Sequence, residues 1–184
     1  MEIIYGVAQN DADLHQILAL QTANQSKNLS LEEIQAQGFV TVEHSFPLLK
    51  KMNNPYPHII ATLDNQVVGY ALVMLSELRN EIPVLISMFE KIDKLVVEDR
   101  PMSEYAYFVM GQICVAKEVR GSGVFGGLYQ KMAAVMRSDF DYIITEIATR
   151  NTRSMRAHAR EGFKVLLQFN DGFEEWAIVG LKIR

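Results

Sequence analysis

The sequence predicts an α/β fold: a mixed, mostly antiparallel, twisted sheet with helices on both faces. Three observations predict it. Two β-branched runs, 59–63 and 66–75, are separated only by Asp64-Asn65, the signature of a tight hairpin. A long apolar run over 105–116 leads through a glycine loop into an amphipathic segment ending near Arg137, and a further strand follows over 142–148. Strand, helix, strand is the order of a parallel crossover. Two last strand-like runs, 165–169 and 174–183, close the chain.

The remaining elements follow from local signals. Residues 2–8 alternate as a first strand, and Asn10 with Asp13 reads as an N-cap with an acidic third position. The helix they open runs over 11–25, with Leu14, Ile17, Leu18 and Leu20 at near-helical spacing. Ser30-Leu31-Glu32-Glu33 is a capping box for a short helix that Gly38 is placed to end. A third helical piece, 46–51, stops at Asn53-Asn54-Pro55. The 66–75 strand is nearly all apolar and so belongs at the sheet centre. Pro83 is placed to begin a helix over 83–96, whose Leu85, Ile86, Phe89, Ile92 and Leu95 repeat at helical spacing until Arg100-Pro101-Met102 breaks the pattern. A short helix from Asn151 to Glu161 ends at Gly162.

Composition sets the bounds. A chain of 184 residues, 49% hydrophobic and 22% charged, is expected to form one domain over 1–184. The formal charge of −4, from 18 Lys+Arg against 22 Asp+Glu, argues against nucleic acid as a partner and leans toward cationic or amine substrates. No run has the length of a membrane span, and residues 1–5 lack the features of an export signal, so a cytoplasmic protein is expected. One cysteine, Cys114, cannot close an internal disulfide.

The chemistry concentrates at Arg120-Gly121-Ser122-Gly123-Val124-Phe125-Gly126-Gly127. Glycines at this density let several backbone N–H groups converge, and the helix start that follows adds the positive end of its dipole, which suits a diphosphate. Arg120 could add a forked cationic donor over the same anion. Gly121-x-Gly123-x-x-Gly126 is also the dinucleotide pattern, but Asp139 and Asp141 precede the next strand instead of ending it, and no Gly-Lys-Ser/Thr follows for a Walker loop. The alternative without a ligand is a loop whose glycines only make a tight turn and close packing.

Arg120-Gly121-Ser122-Gly123 before a helix resembles motif A of the GNAT superfamily of N-acetyltransferases, Gln/Arg-x-x-Gly-x-Gly/Ala, which holds the pyrophosphate of acetyl-CoA. Asn151-Thr152-Arg153-Ser154-Met155-Arg156-Ala157-His158-Ala159-Arg160-Glu161-Gly162-Phe163 is similar to that family's Asn-x-x-Ala/Ser-x-x-x-Tyr-x-x-x-Gly-Phe segment. The resemblance covers roughly residues 111–163. It departs from the family at Phe125, where a small residue is usual and the glycine is displaced to Gly126, and at His158, where a tyrosine is common.

The resemblance implies a GNAT-like sheet whose two parallel strands splay around acetyl-CoA. The pantetheine arm would pair with the backbone of Ile113, Cys114 and Val115, and the diphosphate would rest on Arg120, Gly121, Ser122, Gly123, Val124, Phe125 and Gly126. Asn151 and Ser154 would help hold the cofactor or order the wedge. The implied reaction is direct attack of a primary amine on the acetyl thioester. His158 as an imidazolium could protonate the departing thiolate; its other reading is packing, or a hydrogen bond to a carbonyl. Glu146, a carboxylate in an apolar strand, is the leading base, with an ion pair to Arg150 or Arg153 as the competing reading. Glu43, His44, Glu104 and a water are weaker bases, and Cys114 as a nucleophile partnered by His158 is weaker still. Trp176, Phe173, Glu174 and Glu175 could line an acceptor site. The acceptor is a small-molecule amine, an amino-acid derivative, an antibiotic or a protein terminus, and the 83–96 helix is the place for acceptor specificity or a homodimer contact. A CoA-binding regulatory module and an NAD-dependent oxidoreductase stand as the rival functions.

Overall fold

The computed structural model describes residues 2–25 and 42–184. In chain order its main elements are β1 (Ile4–Val7), α1 (Asp11–Ala23), α2 (Phe46–Met52), β2 (Ile59–Leu63), β3 (Gln66–Met74), α3 (Ile86–Ile92), β4 (Val96–Val97), β5 (Arg100–Pro101), β6 (Tyr107–Val115), α4 (Val124–Met136), β7 (Tyr142–Ala148), α5 (Thr152–Arg160), β8 (Lys164–Asn170) and β9 (Glu175–Lys182). Seven strands join in the order β1-β2-β3-β6-β7-β9-β8, and β4 with β5 forms a separate ribbon. The β1/β2, β2/β3, β7/β9 and β8/β9 pairs are antiparallel and β6/β7 is parallel, so the sheet is mixed and mostly antiparallel as expected. No helix among the described residues is long and apolar enough to cross a membrane. The capping box at 30–33 and Gly38 lie outside the described residues.

The chain divides into two compact units, Met1–Val73 with Gly111–Ala134, and Met74–Met110 with Val135–Arg184. In the first unit, Asn10 Oδ1 accepts from Asp13 N at 3.1 Å, and Asp13 Oδ2 accepts from Gln9 N at 2.8 Å. One orphan donor in the first turn of α1 and the N–H of Gln9 just before its cap are thereby satisfied. The helix ends at Ala23, two residues before the expected limit, because Asn24 caps it, its side-chain amide donating to Leu20 O. The β2–β3 turn is the expected hairpin, with Asp64 and Asn65 both at positive φ. Leu14, Ile17, Leu49, Met52, Ile59, Leu72 and Leu128 form the buried apolar core, each worth about 1.5–3 kcal/mol on removal from water. Through that core runs His58, whose Nε2 donates to Leu49 O and whose Nδ1 accepts from Val73 N.

In the second unit, Asp141 N donates to Ala106 O and Ala106 N donates to Asp141 Oδ2, which sets where β6 and β7 begin to pair. Their parallel register runs from Tyr107↔Tyr142 to Val109↔Ile144. The helix expected over 83–96 is shorter. Pro83–Leu85 is a 3₁₀ turn, α3 occupies only Ile86–Ile92, and β4 and β5 then fold back around Glu98 and Asp99, both at positive φ. Leu95 nevertheless stays buried, which is why the apolar repeat ran past the helix end.

Candidate active site

In the first unit, β6 delivers the chain into a 3₁₀ turn, Lys117–Val119, and then into the glycine loop. Gly121 and Gly123 have φ of +82° and +87°, a region where a side chain would strain the backbone, and nothing lies within 4 Å of a Cβ built on either. Between them Ser122 Oγ donates to Val119 O at 2.6 Å, bracing the turn. Gly127 N donates to Gly123 O at 3.0 Å as α4 begins at Val124. The first-turn N–H groups of a helix have no partner within the helix, so an open surface above two left-handed glycines fits an anion. Phe125 sits in that first turn with its ring on Tyr129, the centroids 5.2 Å apart and nearly perpendicular.

Two residues of the loop also serve the structure around it. Arg120 Nε donates to Val115 O at 3.0 Å and Nη2 donates to Asn24 Oδ1 at 2.6 Å. Its guanidinium therefore ties the end of β6 to the cap of α1, a structural role beside the forked anion donor expected of it. Gly127 answers to packing: a Cβ there would stand 2.2 Å from Tyr5 Cζ. Tyr5 of β1 can approach α4 only where there is no side chain.

Beside the loop lies a buried polar cluster that the sequence did not signal. Gln112 Oε1 accepts from the Tyr70 hydroxyl at 2.6 Å and from Gln21 Nε2 at 2.7 Å, while Gln112 Nε2 donates to Val42 O at 2.9 Å. Gln21 also donates to His44 Nδ1 and accepts from His44 N, both at 2.9 Å. Burial pushes His44 down to about 4, so the ring is neutral. Burial pushes the Cys114 thiol up to about 11, and the Arg120 charge and Tyr70 hydroxyl only partly offset this. Such a thiol is a poor nucleophile at neutral pH.

The second unit holds Glu146, Asn151, Ser154 and His158. Asn151 is the N-cap of α5, its Oδ1 accepting from Ser154 N at 3.0 Å. His158 is buried, with its ring edge-on to Phe163, and its Nδ1 donates to Ser154 O at 2.8 Å with Ser154 Oγ 3.2 Å away. Burial pushes it down to about 4. Of the two readings of His158, the bond to a carbonyl of its own helix and the lowered pKa agree with the packed, neutral ring and not with the imidazolium.

Glu146 stands in β7, half-buried and in register with Ile178. Burial raises its carboxyl to about 7, with Lys91 lowering and Asp171 reinforcing the effect. One of its two expected competitors, Arg150, pairs elsewhere, its guanidinium binding Glu174. Glu104 is bound by Arg100 at 3.4 Å. At the β8–β9 turn Trp176 Nε1 donates to Asp171 Oδ2 at 2.9 Å and Phe173 is almost fully exposed. Among the described residues no cluster of His, Cys, Asp and Glu could hold a metal.

The family model for the Acetyltransferase (GNAT) family matches residues 27–163, about three quarters of the chain. The chain belongs to the GNAT acetyltransferase family. That match takes in the glycine loop, Glu146 and the whole of α5. No curated protein matches the sequence at a significant level. Among solved structures, the ribosomal-protein-S18-alanine N-acetyltransferase from Escherichia coli is similar with a TM-score of 0.64 at 12% identity, covering 99% of this chain and 94% of that one. Ard1 from Thermoplasma volcanium gives 0.65 at 11% identity, over 100% and 99% of the two chains. The Salmonella typhimurium protein yncA, solved with its cofactor acetyl-CoA, gives 0.63 at 14%, over 100% and 95%. At these identities the likeness is one of fold, and this chain shares the GNAT fold.

Proposed function

We propose that this chain is an acetyl-CoA-dependent N-acetyltransferase, one domain over 1–184, that passes an acetyl group directly to a primary amine with Glu146 as general base. The observation that carries the reading is the Glu146 carboxyl, half-buried in the largely apolar strand β7 with no ion pair among the described residues and raised by burial to about 7. Acetyl-CoA, when bound, supplies the acetyl group as an activated thioester. The backbone of Gly121, Ser122, Gly123, Val124, Phe125 and Gly126 binds and orients its diphosphate, while Ile113, Cys114 and Val115 offer strand backbone to the pantetheine arm. Asn151 and Ser154 order the start of α5.

An amine must lose its proton to attack. A carboxylate that protonates near pH 7 can take that proton and return it to solvent. Cys114, protonated at neutral pH, takes no acyl group, so transfer is direct. The acidic balance of the chain favours a cationic acceptor.

Thiol release from acetyl-CoA, followed against a panel of small amines, amino-acid derivatives and peptide N-termini, tests the reading. With the best acceptor, Glu146→Gln lowers kcat by about 10²–10⁴-fold and leaves acetyl-CoA affinity unchanged. Acetyl-CoA binding with no thiol release for any acceptor offered would mark a CoA-binding regulatory module instead.

A further inference from the structure

One face of the second unit's strands is laid out by register. Ala148, Trp176 and Phe169 are aligned across β7, β9 and β8, and Glu146, Ile178 and Leu167 form the adjacent row on the same face. Helix α3, in the segment inserted between β3 and β6, brings Lys91 onto this face, its Nζ 4.2 Å from the centroid of the Phe169 ring. Lys91 also donates to Ser87 Oγ, one turn earlier, at 2.7 Å. Among the described residues neither Lys91 nor Glu146 makes an ion pair. A cation seated over an aromatic face and braced by a hydroxyl is fixed in place without being neutralised.

Among the described residues, the charged groups acting on Glu146 are Lys91 on α3 and Asp171 in the β8–β9 turn. Asp171 is held ionised by the N–H groups of Phe173 and Glu174 and by the Trp176 indole, so it opposes a second negative charge nearby. β8 and β9 contribute Leu167, Phe169, Trp176 and Ile178, which carry no charge. Arg79 is occupied by Asp93 at 2.6 Å. Among the described residues, Lys91 is therefore the group that counters both the burial of Glu146 and the charge of Asp171.

We propose that Lys91 is a positioning residue for the acid–base step: its ammonium, held over Phe169 on the face that carries Glu146, supplies the positive charge that keeps the Glu146 carboxyl ionised. This rests on Glu146 as the base. It gives the inserted α3 a role in the reaction, because the helix holds the charge in place.

The test titrates the Glu146 carboxyl by ¹³C NMR in wild type, Lys91→Met and Lys91→Arg, assigned with Glu146→Gln, beside the pH profile of kcat/KM. Lys91→Met raises the carboxyl midpoint by about one pH unit and moves the acid limb of kcat/KM with it, while Lys91→Arg restores both. A carboxyl midpoint that is the same in Lys91→Met as in wild type overturns the role of Lys91. A midpoint that moves while the acid limb stays fixed keeps the electrostatic hold of Lys91 on Glu146 but overturns Glu146 as the base and with it the part of Lys91 in the reaction, so the two readings fail separately.

Discussion

Arg120 Nη2 donates to Asn24 Oδ1 at 2.6 Å, across 96 positions of sequence. Through this bond and the one to Val115 O, the cap of α1 helps to hold the residue that opens the glycine loop. Arg120→Ala and Asn24→Ala are each expected to lower stability by about 1–3 kcal/mol. In a double-mutant cycle by chemical denaturation the losses are coupled, and strictly additive losses would contradict the link. Acetyl-CoA affinity separates the two roles of the guanidinium. If Arg120 acts through the loop, both variants weaken binding alike; if it touches the diphosphate, only Arg120→Ala does.

The buried histidines give stability a pH dependence of definite sign. His44, His58 and His158 are each pushed from 6.5 to about 4, so between those values the unfolded chain binds more protons than the folded one. Stability is complete above pH 6.5 and falls as pH drops toward 4, each group adding up to about 1.4 kcal/mol per pH unit. Urea denaturation at a series of pH values measures this. His158→Phe flattens the dependence and keeps turnover within roughly a few-fold of wild type. A large loss of turnover with an unchanged stability profile would return His158 to the chemistry.

Cys114 is expected to be unreactive in the folded protein. With its thiol pushed up to about 11, alkylation by iodoacetamide at pH 8 runs about 100-fold slower than in the denatured chain. Cys114→Ser retains thiol release from acetyl-CoA. Rapid labelling, or loss of turnover in that variant, would revive a covalent acyl carrier.

What the sequence made legible was local chemistry. Asp64-Asn65 fixed a hairpin because few other residues tolerate two positive φ values in succession, and Gly121 and Gly123 marked the loop for the same reason. Partners distant in sequence were not legible. Nothing near Gln112 announces Gln21 or His44, and nothing near Gly127 announces Tyr5. The 83–96 helix was overestimated because Leu95 is buried outside it, so the apolar pattern reported burial and not helix length. The two readings of His158, imidazolium or packed ring, stay open in the sequence because its burial against Phe163 and its bond to Ser154 O arise only in the folded chain.

The central claim is that the glycine loop binds acetyl-CoA, and calorimetric titration with acetyl-CoA and NADH side by side tests it most directly. The account predicts saturable heat at one site per chain with acetyl-CoA, none with NADH, and weaker acetyl-CoA binding in Gly123→Ala, where a side chain is forced to φ +87°. No heat with acetyl-CoA from folded protein, or equal heat with NADH, would contradict it.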